Sequence, residues 1–189
     1  MEIKKPDIRY LNDMKNVLQD KEWAKKAPNY ELYYMYRGVK KEKGFRYNIT
    51  VIPPRMLGKE FVKTKGHDHI GKFKEIYTIL NGEAIYLFQK CKNKMVLDVY
   101  AIRAKKNESV LIPAGYGHIT INPSKKILKE ADWAVENCKN DYSFIEKMAG
   151  MCYYYTKSGW IKNENYKSVP KLKFKKPLKK IPKDLSFLI

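Results

Sequence analysis

A chain of 189 residues with 44% hydrophobic and 13% aromatic content can bury one substantial core but is too short for two full-sized ones. With 31% charged residues and a negative mean hydropathy, it offers no apolar run long enough to span a bilayer. Its formal charge of +19 suits an anionic partner, whether nucleic acid, an acidic membrane surface or a phosphorylated small molecule, and the sign alone does not choose among them.

In chain order, the opening stretch MEIKKPDIRYLNDMKNVLQDKEW is interrupted by Lys, Asp and Asn every few positions. It lacks the apolar core of a secretory signal, and the expected setting is the cytoplasm. From Asp7 to about Lys26, Ile8, Leu11, Met14, Val17 and Leu18 recur at helical spacing, which predicts one amphipathic helix packed outside the domain. From Tyr30 the composition turns to Tyr, Ile, Val and Phe in short runs: YELYYMYRGV, RYNITVI, EFVKTKG, EIYTILNGEAIYLFQ, MVLDVYAIRA, SVLIPAGYGHITIN and ILKEADWAVEN. These predict strands, with hairpin turns at Asn81-Gly82 and Lys92-Asn93-Lys94, and hence an antiparallel sandwich or barrel. DYSFIEKMAG predicts a short helix, and Ser158-Gly159 the turn of a last hairpin. No repeat or linker interrupts the chain before residue 167, so residues 1–189 form one predicted domain with a basic tail over about 167–189. Within that tail KLKFKKPLKKIPK carries seven lysines and no acid. Lysine rather than arginine suits phosphate attraction but not base reading, so nucleic-acid binding is not favoured. Leu172, Phe174, Leu178, Ile181 and Leu185 would anchor it as a surface strand or dimer contact. Three cysteines without C-x-x-C spacing suggest neither a disulfide framework nor a zinc knuckle.

The three histidines of the chain fall in two glycine-flanked segments, FVKTKGHDHIGKFKEIY and PAGYGHITIN. His67 and His69, two apart on a strand, share a face. If GKFK turns the chain back, Glu75 on the neighbouring strand faces the same space. Pro113, Gly115 and Gly117 bend the chain before His118 and leave it free to point inward. Three imidazoles and a carboxylate suit Fe(II), Mn(II), Ni(II), Co(II) or Zn(II), with one or two coordination positions left for water or substrate. Tyr77, two residues after Glu75, shares its face, whereas Lys65 on a regular strand points the other way.

These segments resemble the two cupin motifs, with His67-x-His69, Glu75 and Gly82 in the first and Pro113-x-Gly115-x-x-His118-x-x-x-Asn122 in the second. More narrowly, TVIPPRMLGKEFVKTKGHDH, EIYTILNGEA and PAGYGHITIN resemble the cupin-type glucose-6-phosphate isomerases of archaea over roughly residues 28–155. That resemblance implies a cupin double-stranded β-helix, or jelly-roll barrel, with the metal inside, generally as a homodimer. It implies His67, His69, Glu75 and His118 as ligands of one divalent ion, Fe(II) first, and Glu75 as the candidate catalytic base, with a metal-assisted hydride shift as the alternative chemistry. It implies interconversion of glucose 6-phosphate and fructose 6-phosphate, with the phosphate held by Thr50, Thr64, the backbone of Gly66 and Tyr142. The competing readings are another metal-dependent cupin enzyme, a dioxygenase or sugar epimerase, and a non-catalytic sugar-phosphate binder. Four departures from the pattern stand out. Five residues rather than three or four separate His69 from Glu75, and Asn107 stands where a glycine precedes the proline. Asn140 and Ala134 occupy the positions of a family histidine and tyrosine.

Overall fold

The computed structural model describes residues 5–182 and 184–189; residues 1–4 of the opening stretch and Lys183 of the basic segment lie outside them. The strands are β1 (Asp7–Tyr10), β2 (Glu31–Glu42), β3 (Phe45–Ile52), β4 (Met56–Leu57), β5 (Glu60–Phe61), β6 (Asp68–Ile70), β7 (Glu75–Asn81) and β8 (Glu83–Lys92). They continue with β9 (Met95–Lys105), β10 (Ser109–Ile112), β11 (Gly117–Ile121), β12 (Leu128–Val135), β13 (Lys139–Asp141), β14 (Tyr153–Thr156), β15 (Gly159–Lys162) and β16 (Lys173–Lys175). Two short α-helices, α1 (Lys21–Lys26) and α2 (Ser143–Lys147), complete the set.

Six strands form one sheet in the order β1-β2-β3-β12-β7-β10, and four form a second in the order β11-β8-β9-β16. The first sheet is antiparallel throughout, and its order places strands distant in sequence side by side. Hydrophobic alternation explains which face is inward. In β3, Asn48, Thr50 and Ile52 are buried while Tyr47, Ile49 and Val51 are only half-buried. The sheets are joined across the interior where Tyr86 of β8 donates to Glu130 of β12 at 2.5 Å and packs its ring 5.4 Å from that of Tyr77 of β7. The result is the predicted mainly-β jelly-roll barrel.

The N-terminal expectation is corrected. Residues 7–26 do not form one helix: β1 pairs antiparallel with β2, Leu11–Asp13 and Lys15–Val17 are 3-10 turns, and only Lys21–Lys26 is α-helical. Leu11, Met14 and Val17 are spaced by three, the period of a 3-10 helix, and all are fully buried. The α-helix starts late because Asp20 caps it, accepting from Trp23 N at 3.1 Å.

The Asn81-Gly82 hairpin is a second correction, since β7 and β8 lie in different sheets and this turn carries the chain from one to the other. Gly82 has φ +81°, and a Cβ there would sit 2.9 Å from the Ile127 carbonyl oxygen, so the position admits only glycine. The turn around Asn93 does join paired strands, β8 and β9, with Asn93 at φ +55°. Residues 60–66 are less regular than predicted. After β5 they make only single bridges, Lys63 to Ile121 and then His67 to His118.

The tail folds back on its own chain. β16 runs parallel to β9, Lys173 pairs with Asp98 at 2.7 Å, Lys175 Nζ lies 3.5 Å over the Tyr100 ring, and Lys179 pairs with Glu108. Ile181, Leu185, Phe187 and Leu188 join Phe45 and Ile76 in a small satellite core. Among the described residues, no helix is long and apolar enough to cross a membrane.

Candidate active site

The ladder registers build the inner wall in rows. Across β3, β12 and β7 one row reads Thr50–Glu130–Ile79, the next Asn48–Asp132–Tyr77, and the next Arg46–Ala134–Glu75. On the opposite sheet His118 and Thr120 of β11 sit across from Phe88 and Tyr86. His67 reaches the site through a two-bond bridge, its N–H donating to His118 O at 3.3 Å and its carbonyl accepting from His118 N at 3.1 Å. His69 lies in β6 opposite Asn140 of β13. Glu75 thus converges with the imidazoles from another sheet rather than from the strand paired with theirs, which corrects the simple turn-back expected of GKFK.

One ligand atom each from His67, His69, Glu75 and His118 lies within 4.8 Å of the others. Opposite ligands on a shell of about 2.1 Å radius are separated by about 4.2 Å, so the four donors need only a slight closure to share an ion. Glu75 Oε2 is 3.2 Å from His69 Nε2 and 3.5 Å from His118 Nε2. His67 Nε2, Glu75 Oε2 and His118 Nε2 are buried without a well-formed hydrogen bond, which is costly unless something else takes their lone pairs. His69 Nδ1 lies 3.4 Å from the Phe73 carbonyl oxygen, an orientation that turns Nε2 toward the cluster.

The charge states fit a cation as well. Burial, then the neighbouring His118, pushes the His67 imidazole well below its usual 6.5, so it stays neutral with a free lone pair. Burial opposes ionisation of Glu75, but contacts with His118 and His69 outweigh it and hold the carboxyl well below its usual range. Burial likewise opposes charge on His69, yet the Cys138 thiol and Glu75 push that imidazole up to about 10. Without an ion, His69 therefore carries a proton against Glu75, and a divalent cation would take that proton's place. The donor set fits a divalent metal ion.

The pocket beyond the histidines brings together all the other predicted residues: Thr50, Thr64, Gly66, Tyr77 and Tyr142 line it. Thr64 Oγ1 accepts from Thr120 N at 2.9 Å, leaving its hydroxyl hydrogen to donate into the pocket. Gly66 has φ +87°, and a Cβ there would lie 2.6 Å from Ile119 Cγ2. Lys65 is a correction: it lines the pocket rather than pointing away, because the segment does not keep a regular pleat. Its ammonium pairs with Glu146 and lies 5.7 Å over the Tyr142 ring.

Sequence reasoning also missed the exposed Arg37, the half-buried Arg46, and the buried Asn48, Glu130 and Asp132. Alternation in ILKEADWAVEN placed Glu130 and Asp132 on one face and was the signal available for them. Burial, then Glu75, pushes Asp132 well above the usual carboxylate range while Asn48 Nδ2 donates to it at 2.6 Å. Burial brings Glu130 up to about 8.

A family model described as Glucose-6-phosphate isomerase (GPI) matches residues 8–171. The chain belongs to that family. A glucose-6-phosphate isomerase of Thermococcus litoralis is 31% identical over 129 residues, covering 65% of this chain and 65% of the relative. One of Pyrococcus abyssi (strain GE5 / Orsay) is 31% identical over 121 residues, covering 61% and 62%. The matched region thus spans less than two thirds of these relatives. Among solved structures, oxalate oxidase in complex with the substrate analogue glycolate aligns with a TM-score of 0.47 at 16% identity, covering 58% of this chain and 54% of that one, too distant to bear on the chemistry.

Within the family frame the departures acquire positions. Asn107 adopts φ +70°, a left-handed conformation that asparagine tolerates best after glycine. Asn140 lines the pocket with Nδ2 3.4 Å from the Tyr142 hydroxyl, and Ala134 is buried between Arg46 and Glu75 in the ladder. Asn122 is a buried corner, donating to Ile52 O and Lys126 O at 2.9 Å each, which accounts for the asparagine that ends the second motif.

Proposed function

We propose that the chain is a metal-dependent aldose–ketose isomerase that interconverts glucose 6-phosphate and fructose 6-phosphate. The observation that carries this reading is the convergence of His67, His69, Glu75 and His118, with buried unpartnered atoms on His67, Glu75 and His118, beside a pocket that also offers hydroxyls and cations. The proposed ion is divalent, Fe(II) first, then Mn(II), Ni(II), Co(II) or Zn(II). When bound, it would supply Lewis-acid polarisation of the substrate carbonyl. Glu75 would take the proton from one of the two carbons and return it to the other, a double role that requires one carboxylate oxygen free of the ion. Burial, then the neighbouring Glu75, pushes the Tyr77 hydroxyl well above its usual range, so it stays a donor to the sugar chain. Thr50, Thr64, the Gly66 backbone and Tyr142 would seat the phosphate, and Lys65 and Arg37 add the positive charge that the sequence reading left out. A homodimer belongs to the same proposal and rests on the family resemblance, and a cytoplasmic setting rests on the composition of the opening stretch.

The test is a coupled assay for the two hexose 6-phosphates after chelation and after return of each metal, with elemental analysis of the purified protein. Turnover that vanishes with the metal and returns with it is the expected result; chelator-resistant turnover, or none with any ion, would overturn it. A second reading keeps the metal centre but changes the sugar. Asn140, which lines the pocket where the resembled family has a histidine, favours it, since it changes a donor available to the sugar hydroxyls. A panel of hexose and pentose phosphates separates the two readings, and oxygen uptake would point instead to a dioxygenase.

A further inference from the structure

Five residues separate His69 from Glu75, and they include Gly71 at φ +99°. A glycine-containing loop holds the side chains at its two ends less rigidly, because more backbone conformations remain open to it. In this chain a distant segment braces it. Lys74 N donates to Leu188 O at 2.9 Å, and Lys74 Nζ donates to Phe187 O at 2.9 Å. Leu188 is fully buried in the satellite core with Ile76, the residue after Glu75, and with Phe45, while Ile181, Leu185 and Phe187 pack around it. On the other side of the braced loop, the Phe73 carbonyl orients the His69 ring. The family model matches residues 8–171, and this brace is made by residues that follow the match.

We propose that residues 185–189 are a positioning latch for the metal centre: by pinning Lys74 and Ile76 they hold Glu75, and through Phe73 His69, in ligand geometry, supplying the rigidity that the glycine-containing loop gives up. The inference rests on the metal-site reading above. It acts through the ligands' neighbours, as outer contacts of metal ligands do, and such contacts are commonly worth about ten- to a hundredfold in metal affinity.

The experiment titrates chelated full-length protein with Co(II) by calorimetry and follows thermal unfolding of the metal-free form. Leu188→Asp ejects the latch by placing a charge in the satellite core, whereas Lys74→Met removes only the bond to Phe187. Leu178→Ala is the control, altering the same tail where it bridges Ser109 and away from the loop. The latch predicts a Co(II) dissociation constant weakened about tenfold or more in Leu188→Asp, and several-fold in Lys74→Met. Leu178→Ala should bind as the parent does. Lys74→Met, which leaves the satellite core intact, decides the matter should Leu188→Asp lower the metal-free unfolding midpoint substantially. Affinity within twofold of the parent in Lys74→Met, or an equal loss in Leu178→Ala, would overturn the latch. A parent protein that fails to bind Co(II) would instead sink the metal-centre reading itself.

Discussion

Replacing Glu130 by Gln removes one ionisable group from the barrel interior while keeping its size and an acceptor for the Tyr86 hydroxyl, 2.5 Å away. The carboxyl is buried, and desolvation, helped by Glu75, outweighs the hydrogen bonds from Tyr86 and Thr120 and raises it from 4.5 to about 8. A group raised on folding contributes stability that is present below its unfolded value of 4.5 and is lost as the pH climbs through about 8. The difference of 3.5 units, 8 minus 4.5, at about 1.36 kcal/mol each, sets a ceiling of about 5 kcal/mol. Even a third of that moves the midpoint of a domain this size by about 3–6 °C. Thermal unfolding of the metal-free parent and of Glu130→Gln, followed by circular dichroism from pH 5 to 9, isolates the effect. The two should agree near pH 5 within a degree or two, and the variant should become the more stable as the pH rises. Parallel profiles across that range would refute the reasoning, because they would mean that Glu130 ionises in the fold as easily as it does in water.

Glu75→Gln should lower turnover by orders of magnitude and weaken metal binding while far-UV dichroism stays unchanged, as read by the coupled assay and by elemental analysis after dialysis. Metal uptake near pH 7.5 should release about one proton, because His69, raised to about 10, must give up its own; titration calorimetry in two buffers of different ionisation enthalpy measures it. Thr64→Val should cost about 1–3 kcal/mol of stability by orphaning the Thr120 N–H and should raise KM for the sugar phosphate, whereas Thr64→Ser should restore both. Lys63→Met should cost about 3–5 kcal/mol in chemical denaturation, since it strands the fully buried Glu60 that Lys63 pairs with at 2.5 Å.

The clustering of His67, His69, Glu75 and His118 was legible because its signal is compositional and local. All three histidines of the chain fall beside glycines in two short stretches, and a period of two puts His67 and His69 on one face wherever the strand begins. Glu75 was legible for the same reason, although the turn that delivers it crosses between sheets. The strands themselves were visible in the runs of Tyr, Ile and Val, and most of their bounds match the observed elements. What escaped has a physical cause in each case. Leu11, Met14 and Val17 satisfy α-helical and 3-10 spacing equally well, and only pairing of Asp7–Tyr10 with β2, a contact about two dozen residues away in sequence, decides between helix and strand. Asn81-Gly82 is a favourable hairpin dipeptide, yet β7 finds its partners in β10 and β12, far along the chain.

Lys65 shows why pocket residues are harder to read than ligands. Its facing follows from a pleat only if residues 60–66 form a continuous ladder, and they do not. The ladder fails because Glu60 and Lys63 turn inward and bond to one another, with Gln19 N donating to Glu60 Oε2 at 2.7 Å and Lys63 Nζ donating to Val17 O at 3.1 Å. These partners belong to the N-terminal segment whose helix was misread. A single error about residues 7–26 thus propagates to the rim of the pocket. The same contacts imply that the N-terminal turns help to set the geometry around Thr64, Lys65 and Gly66, and so support the pocket although none of their residues lines it.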